Sequence, residues 1–382
     1  MLSRLLLVSL VCLPLAAQRT PDYDHSVVKQ VRIDLRDLGY PPVDVIPSDE
    51  SAIRALTVAP DGTLYGATSG KRSHLFLLSP VHGYVCPLGF LKGVSAVEGA
   101  VVVSRKGDVY IGTSPGGRLL KYTPGGHGNT IRIDMPLETT DLGAPVEGQS
   151  IRALAGDRDR DVIYGLTDPD GHFFSYDIDK ARFEDRGKVA EHTIPGEKFE
   201  ENKKNLGRAI AVDSEGNAYT SGEDGRLFRI PYSGKMQKLA LTAPTVPGRE
   251  PYNRVDAWTA AGDGSVLYGG TSDGYLFRLD TRNLRIHNLG KPLNQYRIRG
   301  LVMAQNGKLY GVGGDDEEMA RLFSYDPARG DYEMLGMVDV NRRPYYSWQA
   351  YVIGAVALGP DGTVYLGQSE RKSKLYLYYP EP

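Results

Sequence analysis

The 382-residue sequence contains only two cysteines, Cys12 and Cys86. Cys12 lies in an apolar N-terminal stretch that we expect to be removed from the mature protein. Cys86 would then be alone, so no intramolecular disulfide could form. The fold must therefore be stabilised by burial of apolar surface, for which a chain of this length is ample.

The sequence also lacks an excess of either charge. It has 45 Lys and Arg against 47 Asp and Glu, a formal net charge of −2. Nucleic-acid-binding proteins usually show a basic balance, so we expect no nucleic-acid partner.

Long apolar runs are missing apart from the first seventeen residues, MLSRLLLVSLVCLPLAA. A positive charge at Arg4, an apolar run and then the small residues Ala16 and Ala17 follow the order of a secretory signal. The run is too short and ends too abruptly for a stable transmembrane span. We therefore predict a signal peptide over residues 1–17, a single domain over residues 18–382, and a secreted or periplasmic protein without a membrane partner.

Several catalytic and metal-binding motifs are absent as well. The sequence has no GxSxG elbow and no pair of histidines at zinc spacing, and its one remaining cysteine falls in a predicted outer strand. Asp157, Asp159 and Asp161 alternate in DRDRD, but they lack the glycine and distal glutamate of a calcium loop. Serine, cysteine and zinc hydrolases are therefore disfavoured, and we expect neither a metal nor another cofactor.

What the sequence does contain is a repeat present in seven copies. Each copy has an apolar strand, a tight turn, a second strand with a tyrosine, a polar loop and a third strand, as in VAPDGTLYGAT near one end and LGPDGTVYLGQ near the other. The second-strand tyrosines are Tyr65, Tyr110, Tyr164, Tyr219, Tyr268, Tyr310 and Tyr365. Their separations of 42 to 55 residues are typical of one blade of a β-propeller.

The turn before each tyrosine carries a glycine in six of the seven copies. The glycines are Gly62, Gly107, Gly216, Gly264, Gly307 and Gly362. A tight hairpin needs a residue with positive φ there, and glycine adopts this conformation readily. The third copy has Asp161 instead, so its turn must be built differently.

A fourth strand is predicted after every copy except the last. The predicted fourth strands are residues 83–91, 129–137, 182–190, 236–243, 284–292 and 332–339. The missing strand is expected at the other end of the chain, in KQVRIDLRDLG (residues 29–39), because its VRIDL nearly repeats the IRIDM of residues 131–135. Such a strand would close the ring and leave no unpaired edge.

This pattern resembles the seven-bladed β-propeller closed by an N-terminal strand. Within that fold it is similar to the broad PQQ-like, NHL-like and strictosidine-synthase-like group with DG-x-(L/V)-Y repeats. The GH and WD pairs of WD40 repeats and the Asp boxes of sialidases are absent, and two tryptophans contrast with the tryptophan-rich docking of quinoproteins. The resemblance covers residues 29–380 and implies an all-β fold, but the group hosts many unrelated activities.

The start of each first strand predicts a ring of residues around the mouth of the central channel. Each lies eleven or twelve positions before the tyrosine of its copy: Arg54, Glu98, Arg152, Arg208, Asp256, Arg299 and Ile353. Guanidinium groups suit carboxylates, phosphates and sulfates, and a concave mouth strengthens their field. We predict the four arginines as binding residues. The alternative is a self-neutralising ring, in which Glu98 and Asp256 hold two of the arginines.

Two further sets of residues are expected on the same face. The third strands begin with His74, Arg118, His172, Arg226, Tyr275, Arg321 and Lys374. Among these we single out His74 and His172, which titrate near neutrality. The segment 340–351 carries Tyr346 and Trp348 beside two arginines, a composition suited to sugar and anion recognition. His74, Tyr346 and Trp348 therefore join the predicted binding residues.

Three functions remain open. The first is a monomeric binding protein for an anionic glycan or a small anionic ligand. The second is a polysaccharide lyase, since propeller lyases of uronic-acid polymers, including oligogalacturonate and ulvan lyases, are similar to this chain in blade count and size. In such a site an arginine would neutralise the carboxylate, His172 would remove the C5 proton and Tyr252 would protonate the leaving oxygen. The third is a protein-interaction scaffold.

Overall fold

A computed structural model describes residues 46–79, 84–125, 132–194, 204–315, 318–342 and 346–380. The predicted signal peptide at residues 1–17 and the predicted closing strand at residues 29–39 lie outside these ranges. Within them, no helix is long and apolar enough to cross a membrane.

Antiparallel sheets account for almost all regular structure in the described residues. The first three blades are β1 (Ala52–Val58), β2 (Leu64–Ser69), β3 (Ser73–Ser79), β4 (Tyr84–Leu91); β5 (Val101–Val103), β6 (Val109–Gly112), β7 (Leu119–Tyr122), β8 (Thr140–Asp141); and β9 (Ser150–Asp157), β10 (Val162–Asp168), β11 (His172–Asp177), β12 (Arg182–Lys188). The next three are β13 (Ala211–Val212), β14 (Ala218–Ser221), β15 (Arg226–Ile230), β16 (Gln237–Thr242); β17 (Val255–Ala260), β18 (Val266–Thr271), β19 (Leu276–Asp280), β20 (Arg285–Gly290); and β21 (Ile298–Met303), β22 (Leu309–Asp315), β23 (Glu318–Asp326), β24 (Asp331–Met337). The separate hairpin β25 (Asp339–Arg342) and β26 (Tyr346–Gln349) precedes the last blade, β27 (Ile353–Leu358), β28 (Val364–Gln368) and β29 (Leu375–Tyr378).

The sheets form a closed ring of seven blades. The first strands of neighbouring blades contact one another around the ring, and β27 of the last blade contacts β1 of the first. Helical structure is confined to single 3-10 turns in the described residues: Ser48–Glu50, Glu223–Gly225 and Glu250–Tyr252. The prediction of an all-β, seven-bladed propeller is therefore confirmed.

A glycine and a phenylalanine pack together in four of the blades. The glycine follows the second-strand tyrosine and pairs with the phenylalanine of the third strand: Gly66 with Phe76, Gly165 with Phe174, Gly269 with Phe277 and Gly311 with Phe323. A Cβ atom at each glycine would lie 2.1 to 2.3 Å from the tip of the ring. The ring thus lies directly on the strand backbone, and this explains why the sequence repeats YG before LF or FF.

The turns between the first and second strands follow the predicted chemistry. The glycine before each tyrosine has a positive φ, for example +87° at Gly62 and +84° at Gly362. In the third blade Asp161 itself adopts φ +51°, a conformation that aspartate tolerates better than most residues. Its hairpin leaves four residues between the paired Asp157 and Val162, against five between Val58 and Leu64.

The prediction for the fourth strand of the second blade is wrong. That strand is β8, only two residues long, which pairs with β7. The described part of the predicted strand, residues 132–137, instead bonds to the outer strand of the first blade: the amide of Phe90 donates to Met135 and the amide of Leu137 donates to Phe90. Sequence similarity between outer strands did not reveal which blade the segment joins, because any exposed edge offers the same backbone groups.

Candidate functional site

A cavity of about 500 Å³ occupies one end of the central channel. All seven residues predicted at the starts of the first strands line it. The complete lining is Arg54, Glu98, Gly99, Ser114, Arg152, Asp168, Arg208, Asp256, Arg297, Arg299, Val352, Ile353, Gly354 and Ser369. The repeat register therefore predicts which residues surround the cavity, although they are up to three hundred positions apart and the last blade departs from the register by one position.

A β-bulge in the first strand turns these side chains towards the channel. Pairing of the first and second strands skips one first-strand residue in five blades: Arg54, Arg152, Asp256, Arg299 and Gly354. A bulged residue is left unpaired and the strand bends, which redirects its side chain. The residue before each bulge, such as Ile53 or Ile298, is buried. In this sequence pattern the apolar residue packs between blades, and the charged residue that follows it faces the channel.

The bulge corrects the register of the last blade. Gly354, not the predicted Ile353, occupies the position equivalent to Arg54. A Cβ atom at Gly354 would lie 2.4 Å from the carbonyl oxygen of Ile53, so β27 packs on β1 too closely for a side chain. The ring therefore has a gap at the point where the first and last blades meet.

Three of the four predicted arginines hold carboxylates. Arg54 pairs with Glu98, Arg152 Nη1 lies 2.7 Å from Asp168 Oδ2, and Arg299 Nη2 lies 2.7 Å from Asp315 Oδ1. In the last two pairs the arginine bulges from the first strand, and the aspartate ends the second strand sixteen positions later. These pairs orient the guanidinium groups and neutralise part of their charge.

Arg208 is the exception among the predicted arginines. Within the described residues it has no hydrogen bond and no ion pair through its side chain. The side chain is exposed to the cavity, although the protein around the channel mouth removes part of its hydration. This desolvation lowers the pKa of Arg208 to about 10, and the negative charge of Asp256 only partly offsets it. Arg208 is thus a cation without a direct partner, still charged at neutral pH.

Arg297 is a lining residue that the sequence reasoning missed. It adopts φ +61° in the connection before β21, and its Nε lies 3.7 Å from Asp315 Oδ2. Burial lowers the pKa of Arg297. It stands two positions before the repeat register, so its distance from the tyrosine does not predict it.

Asp256 is held by a residue outside the predicted ring. Arg254 Nε lies 2.8 Å from Asp256 Oδ1, and both side chains are largely buried. Burial by itself would raise the pKa of Asp256. The positive charges of four arginines outweigh burial and hold the pKa below its usual range: Arg254, Arg208, Arg297 and Arg152. Asp256 is therefore ionised and organises the arginines around it.

The cavity as a whole is cationic. Five arginines and three acidic residues line it. Buried or enclosed arginines interact strongly with carboxylates and phosphates, because little water screens them and the guanidinium presents several donors. The arrangement is therefore suited to holding a compact anion beside Arg208 and Arg297.

His74 does not reach this cavity. Its side chain is fully buried, and its Nε2 lies 2.7 Å from Glu50 Oε2. Burial lowers the pKa of His74, although the hydrogen bond and charge of Glu50 oppose that shift. Arg72 also bonds to Glu50. The structure thus places His74 in the interior, where its contacts are structural.

His172 and Tyr252, the predicted catalytic pair, are also not among the lining residues. His172 Nδ1 lies 2.8 Å from Asp185 Oδ2 on the outer strand β12. Tyr252 ends a 3-10 turn in the connection between the fourth and fifth blades and is 39% exposed. The two residues lie in different parts of the ring, and neither belongs to the cavity that holds the arginines.

Tyr346 and Trp348 lie on β26, which pairs with β25 outside the blades. The structure does not describe their side chains. Within the described ranges, no group of three or more His, Cys, Asp or Glu residues is arranged to hold a metal ion.

The fold is shared with solved structures of other proteins. A streptogramin B lyase matches with a TM-score of 0.63 at 14% identity, over 86% of this chain and 94% of that chain. Virginiamycin B lyase from Staphylococcus aureus matches with a TM-score of 0.61 at 10% identity, over 86% and 96%. The extracellular domain of a hybrid two-component system from B. thetaiotaomicron matches with a TM-score of 0.58 at 16% identity, over 88% of this chain and 40% of that chain.

No protein-family model matches the sequence, and no curated protein matches it. At identities of 10 to 16%, the structural matches show the fold alone. They confirm the predicted resemblance to seven-bladed propellers of this broad repeat group. The three matched structures are two lyases and one extracellular domain.

Proposed function

We propose that the protein is an exported binding protein and that its arginine-lined cavity holds an anionic ligand, either a small anion or the charged group of a glycan. The observation that carries the proposal is Arg208. Its guanidinium faces the cavity, is exposed rather than buried, and has no hydrogen-bond or ion-pair partner among the described residues. A ligand carboxylate, phosphate or sulfate would supply the missing partner.

The surrounding charges support the same conclusion. Asp256 is already engaged by Arg254, and Asp315 by Arg299. Neither acid is therefore free to neutralise Arg208 fully. Of the five lining arginines, Arg208 has no carboxylate partner within the described residues and Arg297 has only Asp315 at 3.7 Å, so these two would be the first to contact an anion.

The lyase alternative has less support in this cavity. Proton abstraction from a sugar needs a base within hydrogen-bond reach of the reacting carbon. No histidine or tyrosine is among the described residues that line the cavity, so the roles predicted for His172 and Tyr252 remain a hypothesis. An increase in ultraviolet absorbance during incubation with uronic-acid polymers, lost in His172→Ala, would favour it over simple binding.

Isothermal titration calorimetry with citrate, pyrophosphate, glucuronic acid and neutral glucose tests the proposal. We expect at least one anion to bind and glucose not to bind. Arg208→Ala should weaken anion binding by roughly tenfold or more, since a hydrogen bond to a charged group contributes about 1.5–3 kcal/mol.

Arg285→Ala is the matched control. It removes the same charge from the exposed start of the outer strand β20, so the net charge of the two variants is equal. Equal losses in both variants would mean that only the overall charge matters and would refute the cavity as the binding site.

A further inference from the structure

A second cavity of about 430 Å³ adjoins the arginine-lined cavity at the junction of the first and last blades. The two cavities share Arg54 and Ser369 in their walls. Arg54 donates from Nε to Ser369 Oγ at 3.2 Å and also pairs with Glu98. One guanidinium therefore forms the boundary between the two spaces, and a ligand could contact it from both.

The second cavity differs chemically from the first. Its walls are rich in hydroxyl groups and very small side chains: Ser48, Ser69, Ser95, Ser369, Ala52, Ala96 and Gly70. No aromatic or large apolar side chain lines it within the described residues. An apolar ligand would gain little there, whereas a ligand with many hydroxyl groups would find hydrogen-bond partners.

Two of the serines retain a hydroxyl proton for a ligand. Ser69 Oγ accepts from the amide of Val97 at 3.1 Å, and Ser369 Oγ accepts from Arg54. Neither hydroxyl donates to another described residue. A serine hydroxyl both donates and accepts, so each can donate to a sugar oxygen while keeping its present bond.

The charged residue Glu370 does not repel an anion from this cavity as a free carboxylate would. Its Oε2 accepts from Gln368 Nε2 at 2.6 Å and from the amide of Tyr351 at 3.0 Å. Its charge is thus engaged in holding the connection that leads into β27. Asp49 and Arg371 also line the cavity, and together with the serine hydroxyl groups they provide its other polar contacts.

We propose that the two cavities together bind an acidic oligosaccharide, with the acidic sugar in the arginine-lined cavity and a neighbouring neutral sugar in the serine-lined cavity. This inference rests on the proposed function of the first cavity. Both volumes fall in the range of about 300–1,000 Å³ typical of ligand pockets. The order of the two sugars follows from the balance of charges: five arginines face three acidic residues in the first cavity, whereas two arginines face two acidic residues beside four serines in the second.

Calorimetry with glucuronic acid and with an aldobiouronic acid, in which glucuronic acid is linked to a neutral sugar, tests the inference. We expect the disaccharide to bind at least tenfold more tightly than the monosaccharide. Ala96→Phe, which fills the second cavity, should remove this gain and leave the affinity for glucuronic acid unchanged. Ala96→Ser keeps the cavity open and should behave like the unsubstituted protein.

A second variant guards against misfolding of Ala96→Phe. The double change Ser69→Ala and Ser369→Ala keeps the volume of the cavity and removes its donors, so it should also reduce the disaccharide gain. If glucuronic acid binds in an Arg208-dependent way but the disaccharide binds no better, or keeps its gain in both variants, the second cavity is not a sugar site. If neither ligand binds, the proposed function of the first cavity fails instead.

Discussion

Arg208 and Arg158 lie at opposite ends of the inner strands, and they differ in whether the guanidinium has a hydrogen-bond partner. Burial lowers the pKa of both guanidinium groups. Arg158 donates to the carbonyl oxygens of Val58 and Val103, at the ends of β1 and β5, and so ties three blades together. Arg208 has no such bond within the described residues. The same residue type therefore stabilises the ring at one end and remains available to a ligand at the other.

The turn that carries Arg158 explains its structural role. In DRDRD, Asp157 Oδ1 accepts the backbone amides of Asp159 and Arg160, and Asp161 accepts from Arg105. The aspartates are thus occupied by amides and guanidinium groups of the protein. At the cavity end, by contrast, the bulges direct charged side chains into open space.

Asp256→Asn should have the largest effect, at the cavity end. Removing one partner of a buried ion pair leaves the other charge uncompensated, so we expect the free energy of unfolding to fall by about 3 kcal/mol. Chemical denaturation would measure the loss, with Asp263→Asn in an exposed turn as the control. A bound anion should restore part of the stability. A loss no greater than in the control would show that Asp256 does not organise the arginines.

Arg158→Met should have the next largest effect, at the opposite end. Two carbonyl groups lose a charged donor while the apolar stem is retained, so we expect a loss of about 1–2 kcal/mol in the free energy of unfolding. Anion affinity should be unchanged, since the residue is far from the cavity. Arg285→Met is the control. Weaker anion binding in Arg158→Met would break the proposed division of roles between the two ends.

The pH dependence of anion binding tests whether Arg208 is the cation that contacts the ligand. Because the pKa of Arg208 is about 10, the side chain is charged below that pH and loses its charge as the pH rises through it. Anion affinity should therefore be constant near neutrality and fall about tenfold between about pH 9 and about pH 11. Burial raises the pKa of the core residues Tyr65 and Tyr365 to about 12, so we expect these two hydroxyl groups to stay mostly protonated over this range.

Circular dichroism at each pH would confirm that the protein is folded during these titrations. Arg208→Ala should bind weakly and show little dependence on pH. A profile for that variant that still falls near pH 10 would assign the titration to another group.

A higher salt concentration should have the smallest effect on anion affinity and on stability. Raising the ionic strength from about 0.05 M to about 0.5 M screens partly exposed charges. We expect anion affinity to fall several-fold. The difference in the free energy of unfolding between the protein and Arg158→Met should change little, because it comes from hydrogen bonds between the guanidinium and backbone carbonyl oxygens. A stability difference that disappears in salt would indicate that the charge of Arg158, rather than its hydrogen bonds, ties the blades.

Much of the fold was predictable because each blade is specified by local chemistry. Turn glycines, buried tyrosines and the glycine that accommodates a phenylalanine ring recur at fixed spacing. The fourth strand of the second blade was not predictable in this way, since residues 132–137 bond to the edge of the first blade. Outer strands are partly exposed, and hence their sequences carry less information about their partners.

The candidate site was predictable where it follows the repeat register. Arg54, Arg152, Arg208 and Arg299 were found from their distance to a tyrosine. Asp168 and Asp315 were missed, although a signal existed: each follows its arginine by sixteen residues in the same blade. Applying the register to the ends of the second strands would have found them.

Short-range sequence patterns were enough to predict the number of blades and most of the residues at the mouth of the channel, because hairpin turns, strand alternation and repeat length act over short distances along the chain. Which arginine lacks a partner was settled only when the chain folded. That outcome depends on Arg254 reaching Asp256, on aspartates ending neighbouring strands and on a glycine where β27 meets β1. Charges separated by more than two hundred residues compete for the same partners only after the ring has closed, so their pairing is a property of the folded protein.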